Sequence, residues 1–204
     1  MSLSQRVAAQ LAHPRGLSGR LLGRVMDLAN DRPVRLAVAA LAPRAGERIL
    51  DAGCGTGAAL AAVRAEAPCS LCGVDRAAAM VAAARRRLGD AADIAVQDIA
   101  GLPGEWPPFD GVLALNVLYF ADPAGSLVAA LHRSLRSGGR LVAYVTHRES
   151  MKRWGFARAG LHRLYYAAEL EAVLVQGGFA RALISIKEHT VAPKIRGLIA
   201  HAER

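Results

Sequence analysis

The chain has 204 residues and carries 26 Lys and Arg against 17 Asp and Glu, which gives a formal net charge of +9. A chain of this length fits one globular domain. The positive charge favours an anionic partner, such as a carboxylated metabolite, a lipid surface or RNA, without choosing among them. The longest uncharged runs, residues 52–63 and 111–121, are shorter than the ~20 residues of a membrane-spanning helix. Because the N-terminus also lacks a compact apolar stretch, we predict no secretory signal and expect a cytoplasmic protein.

Residues 1–43 are expected to form a helical cap, made of two helices, that belongs to the same domain as residues 44–204. The first helix carries an apolar stripe at helical spacing, formed by Leu17, Leu21, Val25 and Leu28. This stripe packs on the sheet as a cover, or it closes over a ligand or lies on a membrane surface. Asp31 as an N-cap and Pro33 soon after it predict the second helix, near residues 32–41.

Residues 49–57 read Ile-Leu-Asp-Ala-Gly-Cys-Gly-Thr-Gly and join a short apolar run to an alanine-rich helix, predicted from about 58 to 67. Glycines at positions 53, 55 and 57 permit positive φ angles and let the backbone approach a ligand. The unpaired N–H groups of the first helical turn face the same place. A glycine-rich connection of this kind, from a strand to a helix, binds nucleotides, and it is common to the binding sites of two classes of cofactor.

Asp51 separates the two classes, because it lies at the carboxyl end of the first predicted strand. A carboxylate there would repel the pyrophosphate of a dinucleotide and attract an ammonium group, which S-adenosylmethionine carries. With Asp51 included, the stretch resembles motif I of the class I S-adenosylmethionine-dependent methyltransferases. The dinucleotide alternative stays open through Gly53, Gly55 and Ala58, which satisfy the relaxed pattern G-x-G-x-x-A.

This resemblance implies S-adenosylmethionine as the cofactor and an α/β fold, a Rossmann-like three-layer αβα sandwich whose mostly parallel seven-stranded sheet ends in an antiparallel C-terminal hairpin. It places five residues of the glycine-rich stretch at the cofactor: Asp51, Gly53, Cys54, Gly55 and Gly57. The alternation of strands and helices after residue 47 also predicts a parallel sheet with helices on both faces. The predicted strands are residues 47–52, 70–75, 93–97, 110–115 and 140–146, and the hairpin combines 179–187 with 195–202.

Further cofactor contacts are expected after the second and third strands. Asp75 ends the second strand, and the two oxygens of such an acid can accept from the two hydroxyls of a ribose, as the matching acid of the family does. Arg76 instead suggests a reader of a 2′-phosphate, which is the dinucleotide alternative. Met80 is expected at the adenine edge. Asp98 and Ile99 match the family's acid that accepts from the adenine amino group and the residue that covers the ring, with a turn cap by Asp98 as the alternative.

Residues 109–120, Phe-Asp-Gly-Val-Leu-Ala-Leu-Asn-Val-Leu-Tyr-Phe, resemble motif IV of the family, where the chain leaves the sheet beside the sulfonium. The resemblance implies that backbone near Asn116 helps to hold the methionine amine. Tyr119 and Phe120 are predicted to flank the methyl group, with core packing as the alternative.

The least regular stretch, residues 146–166, follows strand 5 at the edge where such folds bind their substrates. It contributes the other substrate-pocket candidates: His147, Trp154, His162 and Tyr165. Ordinary loop packing is the alternative for each of them taken singly.

The three cysteines predict neither a disulfide framework nor a metal site. Cys54 lies in the glycine-rich stretch, and Cys69 and Cys72 form a lone C-x-x-C. A zinc site would need a second cysteine pair or nearby histidines, and a redox motif would open a helix. We predict free thiols and no metal.

Methyl transfer from a sulfonium neutralises a charged leaving group, so positioning and desolvation carry the rate. A hydroxyl or a protonated amine as acceptor would need a base, for which His147 is the first candidate and Tyr119 or His162 the next. We predict a methyltransferase that acts on a small-molecule or lipid acceptor, as a monomer or homodimer. Residues 14–19, Pro-Arg-Gly-Leu-Ser-Gly, together with Met26 and Asn30 resemble the N-terminal cap of a group of bacterial small-molecule and lipid methyltransferases. The basic, amphipathic N-terminus keeps peripheral membrane contact open. The alternatives are an NAD(P)-dependent oxidoreductase and an RNA or protein methyltransferase, although no specific nucleic-acid partner is expected.

Overall fold

The computed structural model describes residues 16–102, 106–154 and 162–204, and for residues 16–27 and 29 it describes the backbone alone. The helices are α1 (Gly16–Leu41), α2 (Ala58–Glu66), α3 (Ala78–Leu88), α4 (Ser126–Ser134), α5 (Arg148–Met151) and α6 (Ala167–Gln176). The strands are β1 (Arg48–Ala52), β2 (Ser70–Asp75), β3 (Asp93–Val96), β4 (Phe109–Leu115), β5 (Leu135–Thr146), β6 (Ile184–Ala192) and β7 (Ile195–Glu203).

Seven strands form one sheet in the order β3-β2-β1-β4-β5-β7-β6. The first five pair in parallel, and β7 runs antiparallel to both of its neighbours. This arrangement confirms the predicted mostly parallel seven-stranded sheet with an antiparallel C-terminal hairpin. The chain leaves β1 on one side for β2 and β3, and then returns to its other side for β4. A crevice for ligands opens at the carboxyl ends of the strands at such a switch point.

An apolar layer covers each face of the sheet. On one face, α4 and α6 contribute the buried side chains of Val128, Leu131, Leu170 and Leu174. On the other face, α1, α2 and α3 contribute those of Leu41, Leu60, Val81 and Leu88. Alternate residues of the central strands point into the two layers, as Leu50 and Ile49 do in β1. The strands are therefore fixed from both sides, and their carboxyl ends keep a constant position.

Helix α1 is one continuous helix of 26 residues, so the prediction of two separate helices is wrong. Pro33 lies inside it, where a proline removes a backbone hydrogen bond and costs ~3 kcal/mol. The buried side chains of Val38 and Leu41 offset this cost, because they hold the C-terminal half of the helix against the sheet. Asp31 begins no helix, and its carboxylate forms an ion pair with Arg35 at 2.5 Å.

The apolar stripe predicted on α1 does not pack on the sheet at Leu28, the one member whose side chain is described. Leu28 is 82% exposed. The packed residues Ala37 and Leu41 fix the rotation of the helix, and Asn30 lies on the same inner side. At ~100° per residue, position 28 points about 160° away from position 30. None of the helices in the described part of the chain is long and apolar enough to cross a membrane.

The C-terminal end of α1 is fastened by Arg140 on β5. Its guanidinium donates to the carbonyl oxygens of Leu41 at 2.6 Å and of Ala42 at 3.1 Å. The same group donates to both carboxylate oxygens of Glu47, at 2.9 and 2.7 Å. This hydrogen bonding holds the pKa of Glu47 below its usual range. Arg140 thus provides donors for carbonyls that a helix end leaves without partners.

The predicted bounds agree with β2 and differ at β5 and β6. β5 begins at Leu135 and not in the region of residue 140, because Leu135 pairs with Phe109 ahead of an irregularity in the register. β6 begins at Ile184, later than predicted, because residues Arg181–Leu183 form a 3-10 turn. The early start of β5 comes from long-range pairing that the local sequence does not encode.

Candidate active site

A cavity of about 230 Å³ opens at the carboxyl ends of β1 to β4, at the switch point of the sheet. All of the residues predicted for the cofactor except Gly57 line it, together with Phe120: Asp51, Gly53, Cys54, Gly55, Asp75, Arg76, Met80, Asp98, Ile99 and Asn116. The rest of the lining consists of residues for which no contact with S-adenosylmethionine was predicted: Asn30, Val34, Thr56, Ala58, Ala59, Gln97, Leu115, Val117 and Leu127.

The glycine-rich loop between β1 and α2 follows a path that side chains would block. The φ angles are +82°, +52° and +77° at Gly53, Gly55 and Gly57. The backbone N–H groups of Gly53 and Cys54 both donate to the carbonyl oxygen of Val74, at 2.8 and 2.9 Å. A Cβ atom on Gly53 would lie 2.5 Å from Cγ2 of Val117. The loop is therefore held against β2 on one side and close to the end of β4 on the other.

Gly57 does not line the cavity and contributes to it through the packing of two helices. It precedes α2, and a Cβ atom on it would lie 3.0 Å from Cδ1 of Leu88 and 3.2 Å from Cβ of Ala84, both on α3. Its hydrogen side chain allows α2 to begin close against α3, which brings the first turn of α2 to the cavity.

Asp51 ends β1 with its carboxyl group at the cavity and is only 2% exposed. Burial, and to a smaller extent the charge of Asp75, raises the pKa of Asp51 to about 7. A cation in the cavity would lower this pKa, because an opposite charge stabilises the carboxylate. The position therefore favours a positively charged ligand group.

Both oxygens of the Asp75 carboxylate accept backbone hydrogen bonds. Oδ2 accepts from the N–H of Gly55 at 3.0 Å, and Oδ1 accepts from the N–H of Ala77 at 2.8 Å. Burial raises the pKa of Asp75, and these two hydrogen bonds oppose the change. Each carboxylate oxygen has a second lone pair, so two neighbouring hydroxyls of a ribose can still donate to it.

Asp98 forms the turn cap that the sequence left as an alternative. It precedes the 3-10 turn Ile99–Gly101, and its Oδ1 accepts from the N–H of Ala100 at 2.9 Å. A carboxylate offers about four lone pairs. The cap is therefore compatible with a further hydrogen bond from an amino group in the cavity, next to the apolar side chain of Ile99.

Arg76 and Phe120 bring a cation and an aromatic ring together at the cavity. The guanidinium carbon of Arg76 lies 5.2 Å from the ring centroid of Phe120, which is a cation–π distance. Met80, on α3, adds a mostly buried thioether to the same lining. Phe120 is the single substrate-pocket candidate among the described residues that lines the cavity.

Asn116 directs the chain out of β4. Its φ is +59°, in the left-handed region that Asn tolerates better than most residues. Its backbone N–H donates to the carbonyl oxygen of Tyr144 at 2.9 Å. Its side-chain Nδ2 donates to Oδ1 of Asn30 on α1 at 3.0 Å. The end of β4 is thus connected to β5 and to α1.

Tyr119 and His162 lie behind the cavity wall. The hydroxyl of Tyr119 donates to Oδ1 of Asn116 at 3.2 Å and accepts from the N–H of Thr146 at 2.5 Å. Burial raises the pKa of Tyr119 far above its usual value. The His162 ring lies 6.0 Å from the ring of Tyr119 and 5.3 Å from that of Phe120, and burial lowers its pKa.

His147, the first candidate for a base, is not among the residues lining the cavity. It is buried after β5, and its Nδ1 accepts from the N–H of Glu149 at 3.2 Å, which caps α5. Its Nε2 lies 3.7 Å from Oε2 of Glu188 on β6, and its ring packs on Tyr166 with centroids 5.4 Å apart. The structure therefore places His147 between α5 and the C-terminal hairpin.

The last two candidates from this loop are packed with the core. Tyr165 is fully buried, and its hydroxyl donates to the carbonyl oxygen of Leu118 at 2.6 Å. Burial raises the pKa of Tyr165 to about 12. Trp154 packs against the same apolar layer. Residues 155–161, which complete the predicted loop, lie outside the described part of the chain.

The cysteines do not form a metal site. Across the described ranges, no group of three His, Cys, Asp or Glu is placed to hold a metal ion. Cys54, Cys69 and Cys72 are free thiols, and burial raises the pKa of each.

Two kinds of lining residue were missed from the sequence. Thr56 and Gln97 are direct neighbours of predicted residues, so proximity along the chain could have indicated them. Asn30 and Val34 lie one turn apart on α1, and their direction toward the cavity depends on the rotation of the packed helix, which local sequence does not fix.

Comparison with known proteins identifies the central part of the chain. Residues 49–139 match the family described as Methyltransferase domain. Residues 49–139 carry a methyltransferase domain. The predicted family is thereby confirmed, and the match spans the glycine-rich loop together with Asp75 and Asp98.

The relatives of this methyltransferase domain act on different acceptors. The chain is 45% identical over 114 residues to protein-L-isoaspartate O-methyltransferase of Methylorubrum populi, which covers 53% of this chain and 50% of that protein. It is 35% identical over 121 residues to ubiquinone biosynthesis O-methyltransferase of Methylocella silvestris, which covers 58% of this chain and 46% of that protein. The chain thus spans about half the length of these curated relatives.

Solved structures share the fold over most of the chain. A methyltransferase in complex with the Haloferax volcanii Trm112 methyltransferase activator has a TM-score of 0.77 and 17% identity, over 89% of this chain and 92% of that one. Haemonchus contortus phosphoethanolamine N-methyltransferase 2, in complex with S-adenosyl-L-methionine, has a TM-score of 0.69 and 19% identity, over 84% of this chain and 52% of that one. At this level of identity the likeness concerns the fold.

Proposed function

We propose that the protein transfers a methyl group from S-adenosylmethionine to a small-molecule or lipid acceptor. The observation that carries this proposal is the placement of Asp51, Asp75 and Asp98 around one glycine-rich loop, each at the end of a different neighbouring strand. Three carboxylates suit a ligand with an ammonium group, a ribose diol and an adenine amino group. They do not suit a pyrophosphate, which they would repel.

Each lining group has a role in this proposal. Asp51 pairs with the ammonium group, Asp75 accepts from the ribose hydroxyls, and Asp98 accepts from the adenine amino group. Ile99, Met80 and the guanidinium plane of Arg76 provide surfaces for the adenine ring, and backbone at Asn116 meets the methionine amine. The loop of Gly53, Cys54, Gly55 and Gly57 leaves room for the methionine part.

When bound, S-adenosylmethionine supplies an electrophilic methyl group on a sulfonium. No histidine or tyrosine is found among the described residues that line the cavity. We therefore assign orientation of the reactants and exclusion of water to this chain. His147, Tyr119 and His162 stay predictions as bases. Unchanged methyl transfer by a His147→Ala variant would remove His147 from that role.

The apolar part of the cavity supports a small or lipid-like acceptor. Leu115, Val117, Phe120 and Leu127 all belong to its lining. The ubiquinone biosynthesis relative supports an acceptor of this class. A protein carboxylate is the second candidate, because the relative with 45% identity is a protein-L-isoaspartate O-methyltransferase. Transfer of labelled methyl to a quinol precursor or to an isoaspartyl peptide would distinguish the two.

A calorimetric titration with S-adenosylhomocysteine, run beside NAD and NADP, tests the cofactor. We expect S-adenosylhomocysteine alone to bind, and Asp75→Ala to weaken binding at least tenfold, since two charge-assisted hydrogen bonds are lost. Asp90→Ala, at an exposed acid in a 3-10 turn, is the matched control and should bind normally. Binding of a dinucleotide instead would replace this proposal with an oxidoreductase.

We also propose that α1 contacts a membrane surface. The exposed Leu28 lies one turn from the exposed Arg32, and Arg35 follows on the same side. Sedimentation with anionic and neutral liposomes at low salt tests this, and Leu28→Asp should reduce binding to anionic liposomes. Equal behaviour of the protein and this variant would reject the contact. The cytoplasmic location and the monomeric or homodimeric state stay predictions.

A further inference from the structure

A line of hydrogen bonds joins α1 to β5 across the end of β4. Nδ2 of Asn116 donates to Oδ1 of Asn30 at 3.0 Å. The hydroxyl of Tyr119 donates to Oδ1 of Asn116 at 3.2 Å, and the N–H of Thr146 donates to that hydroxyl at 2.5 Å. We call these four residues the Asn30–Thr146 relay.

The backbone N–H of Thr146 fixes which group donates and which accepts in each bond of the Asn30–Thr146 relay. The N–H of Thr146 can only donate, so the hydroxyl proton of Tyr119 is directed to Oδ1 of Asn116. The amide nitrogen of Asn116 must then face α1, where only an acceptor satisfies it. The side-chain amide oxygen of Asn30, Oδ1, is that acceptor. The relay therefore holds the Asn30 side chain in one amide orientation.

Both amide side chains at the α1 end of the relay belong to the cavity lining, as does Asp51. Asn116 is further constrained by its φ of +59° and by the bond from its N–H to the carbonyl oxygen of Tyr144. A ligand in the cavity thus meets α1 through Asn30 and Val34, and it meets the end of β4 through Asn116.

Asn30 lies on the side of α1 that faces the sheet. Toward the C-terminus of the helix, Ala37, Val38 and Leu41 are buried on this side. Leu28, on the opposite side of the helix, is 82% exposed. The Asn30–Asn116 hydrogen bond therefore joins the inner side of α1 to the end of β4, about two turns before the first of these buried side chains.

We propose that Asn30 is a positioning residue that couples the docking of α1 to occupancy of the cofactor cavity, which rests on the proposed function. A ligand that contacts both α1 and β4 favours the state in which the two are joined. By linkage, the docked helix raises the affinity for the ligand by the same factor as the ligand raises the docking of the helix. The relay sets the geometry of the docked state, because it fixes the acceptor and donor atoms at the junction.

Calorimetric titration of the full chain with S-adenosylhomocysteine tests the coupling. Asn30→Ala should lower the affinity about tenfold, the size of one lost hydrogen bond at the cavity. Asp31→Ala is the matched control, because Asp31 is an exposed neighbour on the same helix, pairs with Arg35 and is not part of the cavity lining. Its affinity should stay within about twofold of the unmodified protein. Absence of binding by the unmodified protein would reject the proposed function, whereas normal binding by Asn30→Ala would reject the coupling alone.

Hydrogen exchange measures the docking of α1 itself, which the loss of a local ligand contact would leave unchanged. In the unmodified protein, S-adenosylhomocysteine should slow the exchange of backbone amides in residues 28–36, and Asn30→Ala should abolish that change while leaving residues 37–41 protected. Asn30→Ala and Asn116→Ala break the same bond, so their effects on affinity should be less than multiplicative when combined. An unmodified protein that binds the ligand without slower exchange in α1, or two variants whose effects multiply in full, would overturn the proposal.

Discussion

Replacing Gly53 with Ala should destabilise the fold more than the same change at Gly46. Both glycines have a φ of +82°, so the conformational cost of a Cβ atom, about 1–2 kcal/mol, is common to them. A Cβ atom on Gly46 meets nothing within 4 Å, whereas one on Gly53 lies 2.5 Å from Cγ2 of Val117. Overpacking of this kind costs about 1–3 kcal/mol. The free energy of unfolding should therefore fall by about 2–5 kcal/mol for Gly53→Ala and by about 1–2 kcal/mol for Gly46→Ala.

Urea unfolding followed by circular dichroism measures both changes. Val117→Ala removes the methyl group that the new Cβ atom would strike, and Cβ of Val117 is 3.9 Å away, an ordinary contact distance. In a double-mutant cycle, Gly53→Ala should therefore cost about 1–3 kcal/mol less in the Val117→Ala background. Equal losses at the two glycines, or a loss that Val117→Ala leaves unchanged, would refute the steric argument.

Three further predictions concern protonation and buried polar groups. Lowering the pH from 8 to 6 should weaken S-adenosylhomocysteine binding about tenfold, because Asp51, with a pKa of about 7, must lose a proton to pair with an ammonium group. Calorimetry at both pH values measures this change, and Asp51→Asn should not show it. Glu47→Gln should lower the melting temperature at neutral pH and approach the unmodified protein in acid. Because the pKa of Glu47 is lowered in the folded protein, its bond to Arg140 stabilises the fold above the usual carboxyl pKa, and this stabilisation is lost as the pH falls through the folded-state pKa. Melting temperatures of the variant and the unmodified protein that differ by the same amount from pH 7 to pH 3 would contradict this. Tyr165→Phe should cost about 0.5–1.5 kcal/mol in urea unfolding, because the carbonyl oxygen of Leu118 loses the bond from the Tyr165 hydroxyl and keeps the one from the N–H of Ala121; an unchanged midpoint would show that the lost bond contributes no stability.

The acids at the cavity were predictable because their positions depend on strand ends. Asp51 and Asp75 each follow an apolar run, and the carboxyl ends of parallel strands meet at one edge whatever the details of packing. Local sequence was sufficient there. The same holds for the antiparallel hairpin, although the start of β6 was placed too early.

Features that depend on tertiary packing were not predictable in this way. Pro33 indicated a helix start, but the buried side chains that follow it carry α1 through the proline. The rotation of α1, which exposes Leu28 and turns Asn30 to the cavity, is set by contacts with the sheet. His147 follows a strand end as a substrate residue would, yet its Nδ1 caps α5 and its Nε2 lies near Glu188, a contact that only the folded hairpin determines.

Because Arg140 holds the C-terminal end of α1, a small change in the tilt of this helix displaces its more distant residues by a larger amount. Its fixed end is at Leu41, and Asn30 lies eleven residues away, ~16 Å along the axis at 1.5 Å per residue. A tilt of ~10° about the fixed end would displace Asn30 by ~3 Å, which exceeds the tolerance of a hydrogen bond. Small adjustments where Arg140 meets Glu47, at the opposite edge of the sheet from the cavity, are therefore magnified at the ligand. Residues that touch no ligand thereby set how closely α1 fits over it.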